Sequence, residues 1–533
     1  MHRWLVWPCA FAVLAFCIAG SAGAEIDFPK GMAGKRSVQG AGFDKQHGPQ
    51  SQLECSVAQT ASNVKLDCDD PFPNNEPQIA VDPINPLHLI ASSNDFGTCC
   101  DQFYTSFDAG QHWQTGNMSR ETPQRTGSDP VTSFDRKHNV AIHSSLSFSV
   151  SHASGTQACD GDVVVSISRD GGLTWNKPVK VDDGVGCDLS KTQLFDDKEW
   201  ITTDNNPTSP FYGRSYLTWS KFESHDGGYA SSAIFESHSD DGGANWTPGK
   251  EISGFNAALC TFQVSGPANE CDENQFSVPT VAPNGTVYVA FQNEQNQALW
   301  EQGEEFDNQY LVVKSTNGGT TWSSPSFAVG LEDGSRDYPL NADGRQTLTN
   351  YQVRVNSAGN IVASPVDGKL YLVFADNRAG THDSDSPVTN TNVYVVSSTN
   401  GTTWSSPVAV DTGGSDQWFP WADVNPLNGE VGVLYNDRPV ANPNVHNASL
   451  AQGLPGAFAK SVVSTAVSHP RESVFFQAGS AAPGCETCAV FHGDYIGIAY
   501  GSDGKANLAW TDMRDPDPAA PGLFDQFIYF ARQ

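Results

Sequence analysis

From Glu76 onward the chain changes polarity on a short, repeating beat. Brief apolar runs, or alternation of apolar and polar residues, are separated by clusters of Pro, Asn, Gly and Ser. Such runs read as β-strands and the clusters as turns. In the first unit the pattern predicts strands over 77–81, 87–92 and 102–106, and after Trp113. The second unit begins at Pro130 and Asn139, and the third has 200–203, 215–219, 232–236 and a stretch from Trp246. The fourth has 276–281 and 286–291, and the fifth 351–355 and 370–374. Two later units read as 419–424, 431–435, 459–466 and 473–477, then 495–500, 506–510 and 526–530. The last unit ends one strand short. The stretch 63–67, just ahead of the first unit, is the candidate to complete it and cover the open edge.

Between the third and fourth strands a motif returns. Ser168-Arg169-Asp170-Gly171-Gly172-Leu173-Thr174-Trp175 has the form Ser-x-Asp-x-Gly-x-Thr-Trp. Copies start at Ser106, Ser239 and Ser315, and a fifth at Ser397 carries Thr399 where the acid is expected. Gly supplies positive φ, Asp or Asn folds onto the local backbone, and Trp packs beneath the turn. The steps between copies are 62, 71, 76 and 82 residues, so one unit recurs with variable loops. This pattern resembles the Asp-box, or bacterial neuraminidase repeat, of the sialidase superfamily. The resemblance implies an all-β fold, a β-propeller of four-stranded blades. Seven blades fit the unit count, with six as the alternative. It does not by itself imply sialidase activity, since Asp-boxes are structural turns in propellers of differing function.

The remaining composition sets the compartment and excludes partners. A basic head at Met1-His2-Arg3, an apolar run from Trp4 to Ala19 and Ala22-Gly23-Ala24 read as a secretory signal peptide over 1–24. Residues 25–53 are Gly-rich and polar, a flexible segment, and 54–533 form one propeller domain. The expected location is extracellular, or periplasmic. The net charge of −30 disfavours nucleic acid and anionic membrane. The expectation is a monomer whose partner is an extracellular carbohydrate or glycoconjugate.

An up-and-down blade puts the lead-in to strand one and the turn between strands two and three at one end. The Asp-boxes fall at the other. The lead-in end is crowded with polar groups. Candidate catalytic acids are Glu76, Asp129, Asp197, Glu199 and Asp494; two within reach of a sugar suffice for acid/base hydrolysis. Candidate substrate-binding groups are Lys198, Gln275, Trp418 and His492. Arg378, Arg438 and Arg514 follow acids at equivalent positions of the last three units, as Asp376-Asn377-Arg378, Asn436-Asp437-Arg438 and Asp512-Met513-Arg514. Two readings are open for them: internal ion pairs repeated with the blade, or guanidinium groups converging on an anionic sugar.

Cys9 and Cys17 leave with the signal peptide; ten cysteines remain, which in an exported chain default to disulfides. Their placement predicts Cys159–Cys187, Cys260–Cys271 and Cys55–Cys68, with Cys99 or Cys100 bonded to Cys485 or Cys488. No cofactor or catalytic metal is expected. Acidic loops such as Asp67-Cys68-Asp69-Asp70 could hold structural calcium, although no loop has EF-hand spacing.

The sialidase resemblance implies three arginines for the substrate carboxylate, a Tyr nucleophile backed by Glu, and an Asp acid/base. The first arginine of that family lies in a Phe/Tyr-Arg-x-Pro motif ahead of the first Asp-box. This chain has Glu76-Pro77-Gln78-Ile79 there and no arginine between Arg36 and Arg120. The expected function is therefore a glycoside hydrolase using the lead-in carboxylates, or a lyase. The alternatives are a non-catalytic glycan- or protein-binding propeller and a purely structural module.

Overall fold

The computed structural model describes residues 53–54, 62–67, 73–96, 100–122, 125–151, 157–188, 190–226, 228–295, 308–334, 336–340, 346–351, 353–383, 385–413, 415–473, 491–517 and 522–533. The proposed signal peptide, nearly all of the flexible segment, and Cys55, Cys68, Cys99, Cys485 and Cys488 lie outside them.

The described chain is almost wholly antiparallel β. Two short N-terminal strands, β1 (Leu53–Glu54) and β2 (Val64–Lys65), precede a series of meanders. The first is β3 (Asn74–Val81), β4 (Leu89–Asp95), β5 (Cys100–Ser106) and β6 (Gln114–Asn117), with β1 on its outer edge. The second is β7 (Thr126–Asp135), β8 (Val140–Ser151), β9 (Gln157–Ser168) and β10 (Val179–Asp182). A parallel bridge, Phe195 to Gly161, joins it to β11 (Gln193–Thr203), β12 (Ser215–His225), β13 (Gly228–Ser239) and β14 (Lys250–Glu251). Next come β15 (Asn274–Val281), β16 (Val287–Asn293), β17 (Gln309–Ser315) and β18 (Ser326–Gly330). They are followed by β19 (Ile361–Ala363), β20 (Leu370–Asp376), β21 (Asn392–Ser398) and β22 (Val408–Ala409). The sixth meander is β23 (Gln417–Val424), β24 (Val431–Asp437), β25 (Asn447–Gly453) and β26 (Ala459–Val462). The last is β27 (Gly497–Tyr500), β28 (Ala506–Asp512) and β29 (Phe527–Arg532), and β2 pairs with β29 to complete it. The completing strand is thus the one expected. Asp67, just after β2, fixes it by accepting from the Ile528 amide (2.8 Å) and from Asn74 Nδ2 (3.3 Å).

Five of the second strands are buried along their whole length: β4, β16, β20, β24 and β28. A strand covered on both faces reads as a continuous apolar run, so these were the most legible segments. First strands touch in succession, β3 to β7, β11, β15, β19 and β23, then β27, which returns to β3.

The turns after the third strands pack each unit onto the one before. In the first, Ser106 Oγ donates to Asp108 Oδ1 (2.9 Å) and accepts from the Gly110 amide (2.9 Å), and Trp113 Nε1 donates to Gly110 O (3.0 Å). Gly110 has φ +85°, and a Cβ there would lie 2.2 Å from the Phe530 ring of the last unit. In the same way Gly172 faces Ile90 and Thr105, and Gly243 faces Ile142. Ser168, Ser239 and Ser315 repeat the bonding with Asp170, Asp241 and Asn317.

Three expectations need correction. The fifth turn is one residue out of the expected register. Ser398, not Ser397, donates to Asn400 Oδ1 (3.1 Å), and Asn400 rather than Thr399 takes the acid's role by accepting from the Thr402 and Thr403 amides. This copy is a residue shorter, with the Gly401 amide reaching Ser398 Oγ (2.9 Å). In the fifth unit the first strand is β19, not 351–355. The alternation of Tyr351, Val353 and Val355 comes from burial of a loop against Trp418 and Phe419. In the sixth, the third and fourth strands are β25 and β26. The sequence of β25, Asn-Ala-Ser-Leu-Ala-Gln-Gly, lacks β-branched residues, so burial overrides propensity there.

Candidate functional site

The site grows out of one repeated irregularity. β3, β7, β11, β15 and β23 each slip register once, between Asn75 and Gln78, Ser128 and Val131, Asp197 and Trp200, Gln275 and Val278, and Trp418 and Trp421. In each bulge a non-glycine residue takes positive φ: Glu76 (57°), Asp129 (58°), Lys198 (52°), Phe276 (55°) and Phe419 (51°). Such a conformation costs about 1–2 kcal/mol per residue, and bulges of this kind re-aim side chains. Ahead of β27 the equivalent place is Gly493 (φ 93°), whose absent Cβ would stand 2.6 Å from Glu76 Cγ.

The charged bulge residues meet their neighbours in a buried acidic centre. Glu76 and Glu199 are fully buried, and Asp129, Asp197, Lys198 and Asp494 nearly so. Asn94, at the end of β4, ties the first two units together. Its Nδ2 donates to Glu76 Oε2 (2.7 Å) and its Oδ1 accepts from the Asp129 amide (2.8 Å). Ser128 Oγ donates to Asp129 Oδ1 (2.6 Å), Gln275 Nε2 to Asp197 Oδ2 (2.9 Å), and Ser144 Oγ to Glu199 Oε1 (3.2 Å). The Asp494 amide donates to Glu76 Oε1 (2.9 Å). The Asp494 carboxylate accepts from Arg354 Nη2 (3.2 Å) and Asn356 Nδ2 (3.0 Å). Lys198 Nζ stands over the rings of Tyr495 (3.8 Å) and Trp200 (4.4 Å).

Burial raises the carboxyls of Glu76, Asp129, Asp197 and Glu199 first, and the charges of neighbouring acids add to it. Glu76 lies well above the usual range through burial and the charges of Asp129 and Asp494. Glu199 does so through burial and the charges of Asp129 and Asp101. Asp129 is raised mainly by burial, and Asp197 is pushed up to about 7 by burial and Asp129. Lys198 works in the opposite direction on all four. The centre can therefore hold both proton-bearing and proton-accepting acids near neutral pH.

All five candidate acids, with Lys198 and Gln275, come together here. The other candidates do not join them. Arg378 is paired with Asp376 (Nε to Oδ1, 2.8 Å), bonded to Gly330 O and stacked on Phe374 and Tyr394. Arg514 is paired with Asp512 (2.6 Å) and bonded to Asn63 and Thr465. Arg438 pairs with Asp416 (2.7 Å), not with its neighbour Asp437, and also donates to Thr349 O and Pro443 O. Each of the three guanidinium groups is thus held in an internal ion pair, the first of the two readings. Trp418 and His492 are buried side by side, Trp418 Nε1 donating to His492 Nε2 (3.3 Å). Burial lowers His492 to about 3, so this imidazole is neutral.

Asn94, Arg354, Asn356 and Trp421 belong to the centre without having stood out in the sequence. Asn94 ends the second strand of its unit, the position that drew attention only in the last three units. Arg354 lies in a stretch that reads as a strand.

Cys159–Cys187 and Cys260–Cys271 form as expected; the other predicted pairs fall on residues outside the described set. Among the described residues one trio has metal-ligand potential, Glu332, Asp337 and His382, with ligand atoms within 4.8 Å; it shares no residue with the acidic centre. No described helix is long and apolar enough to cross a membrane.

No family model matches the chain, and no curated protein does. Solved structures do. A protein of unknown function from Dyadobacter fermentans aligns over 78% of this chain and 96% of its own, at 12% identity and TM-score 0.44. The NanB sialidase from Streptococcus pneumoniae aligns over 84% and 83%, at 9% identity and TM-score 0.43. The leech intramolecular trans-sialidase aligns over 96% and 97%, at 11% identity and TM-score 0.41.

Proposed function

We propose that the chain is an exported, seven-bladed β-propeller of sialidase-like build that hydrolyses glycosidic bonds at its acidic centre. The cycle of first-strand contacts and the pairing of β2 with β29 support the ring. The Ser-x-Asp turns support the superfamily resemblance, and the two disulfides suit an oxidising compartment.

The observation that carries the function is the meeting of Glu76, Asp129, Asp197, Glu199 and Asp494, with Asp197 near neutrality. In this reading Asp197 gives its proton to the glycosidic oxygen as the bond to the anomeric carbon breaks. Asp494 accepts a proton from the water whose oxygen bonds to that carbon. The two acids then exchange the proton through solvent. With the three arginines committed elsewhere, a carboxylated sugar is not the favoured substrate. The test is turnover of aryl glycosides and polysaccharides by the purified protein and by Asp197→Asn/Glu199→Gln. Activity lost in the variant supports the reading; activity unchanged in it refutes this site.

Complete burial of Glu76 and Glu199 favours a second reading, a non-catalytic glycan- or protein-binding propeller. Binding without turnover, unaltered in the variant, would select it.

A further inference from the structure

The charge balance of the acidic centre leaves one group unexplained by hydrolysis. Lys198 is 3% exposed, and its Nζ has no hydrogen-bond partner. A buried ammonium without partners is expensive, so something else must hold it. Two features do. Its Nζ sits over the faces of Tyr495 and Trp200, and Trp421 backs this wall with its ring 4.5 Å from Trp200 and 5.9 Å from Tyr495. Ring faces attract cations, most strongly where water is excluded. Around the rings stand Glu76 from β3, Asp129 from β7, and Asp197 and Glu199 from β11, each of which feels the Lys198 charge.

Other charged and titratable groups face this point from the neighbouring elements. Asp494 precedes β27 and is bound by Arg354 (3.2 Å). Asp101 of β5 acts on Glu199 and lies 3.7 Å from His143 Nε2 of β8. Tyr495 carries the phenol, which burial holds protonated. Among the described residues, no three of these carboxylates bring ligand atoms within 4.8 Å of one another. The acids are spread around an ammonium, not gathered on a metal ion.

The backbone also commits Lys198 to this place. It occupies the bulge of β11 at φ +52°, where Glu76 and Asp129 occupy the bulges of β3 and β7. The same device that aims two anions inward aims the cation between them.

We propose that Trp200, Trp421, Tyr495 and the surrounding acids form a binding cage for a primary ammonium group, which Lys198 fills from within. A small alkylammonium ion is then able to take its place when the side chain is shortened. This goes beyond hydrolysis. The readout is stability, so it stands or falls separately from turnover.

The experiment compares urea unfolding midpoints of the full chain and Lys198→Ala at pH 5 and pH 8, with propylammonium chloride or with sodium chloride at equal ionic strength. The expected result is a larger loss in the variant at pH 8, where the acids are uncompensated, than at pH 5. Propylammonium should raise the midpoint of the variant saturably and leave that of the parent unmoved. An equal loss at both pH values overturns the proposal. So does a pH-dependent loss that propylammonium restores no better than sodium. Should Lys198→Ala not fold, Glu76→Gln/Lys198→Ala replaces it, one carboxyl being neutralised together with the cation. Propylammonium then either raises the midpoint of the double variant, upholding the cage, or leaves it unchanged, overturning it.

Discussion

Asp197→Asn should make the protein less sensitive to rising pH. Asp197 is almost fully buried, and burial with the Asp129 charge moves its carboxyl from 3.8 to about 7. The folded-state value lies above the unfolded one, so between them the native protein holds a proton that the unfolded chain has shed. The associated stability is complete below the unfolded value, near pH 4, and is lost as pH rises through about 7. Each pH unit crossed between the two values is worth about 1.4 kcal/mol, so the interval from pH 5 to pH 8 removes on the order of 3 kcal/mol from the parent. Glu76, Asp129 and Glu199 are raised as well, and the slope they contribute is present in parent and variant alike. Asparagine has the shape of the protonated acid and keeps an oxygen for Gln275 Nε2, now at 2.9 Å. It cannot lose a proton. Denaturant midpoints at pH 5, 6, 7 and 8 check this: the variant should gain on the parent by roughly 3 kcal/mol across the series. Parallel curves, or a variant that falls behind as pH rises, would refute the assignment of a raised acid at 197.

The corrected turn register is testable with a pair of serines. Ser398→Ala should cost about 1 kcal/mol by removing the hydroxyl that bonds Asn400 and the Gly401 amide, and Ser397→Ala almost nothing, read as denaturant midpoints. Gly110→Ala should cost about 2–3 kcal/mol, since the residue sits at φ +85° against the Phe530 ring, and proteolysis should find the last unit loosened. Cys260→Ser/Cys271→Ser opens a loop of sequence separation 11 and should lose about 3 kcal/mol, seen as a lower urea midpoint that reductant no longer affects at this site.

What could be read from residues alone follows from how local each signal was. Strands such as β20 and β24 were legible because both faces are covered and the apolar run is unbroken. The turns at Ser106, Ser168, Ser239 and Ser315 were legible because Gly, Asp and Ser are bonded within five residues. β25 was not, because small residues in a central strand leave no propensity signal. The acids of the centre were found because meander connectivity sends every lead-in to one end. The pairing of Arg438 with Asp416 was not found, since the two residues, 22 apart, face each other just beyond the paired ends of β23 and β24, a relation set by strand register and not by adjacency in the chain. The bulges escaped for a different reason: a register slip is a relation between two strands, and one strand carries little trace of it.

That trace was nonetheless present, and it separates scaffold from chemistry. Glu76-Pro77, Asp129-Pro130 and Phe419-Pro420 put proline directly after the positive-φ residue. The register slips at this point, so a missing N–H removes no ladder bond, and proline narrows the unfolded chain without harm. Three units depart from this rule. β15 has Ser277 after Phe276. β11 has Glu199 after Lys198, and the segment before β27 has Asp494 after Gly493. In these last two the amide survives and is used: the Asp494 N–H donates to Glu76 Oε1, and the Glu199 N–H acts on its own carboxyl. Proline thus stands at three bulges where the following amide is not called on as a donor. In β11 and ahead of β27 an amide stands where the turn also supplies a donor to an acid. On this logic Asp494→Pro, set against Asp494→Asn, which removes the same charge but keeps the amide, would take a donor from the fully buried Glu76 and raise its carboxyl relative to that control, whereas Pro130→Ala would leave the donors of the acids as they are. A pH titration of stability that lies higher for Asp494→Pro than for Asp494→Asn, and is unmoved in Pro130→Ala, is the outcome this division of labour requires.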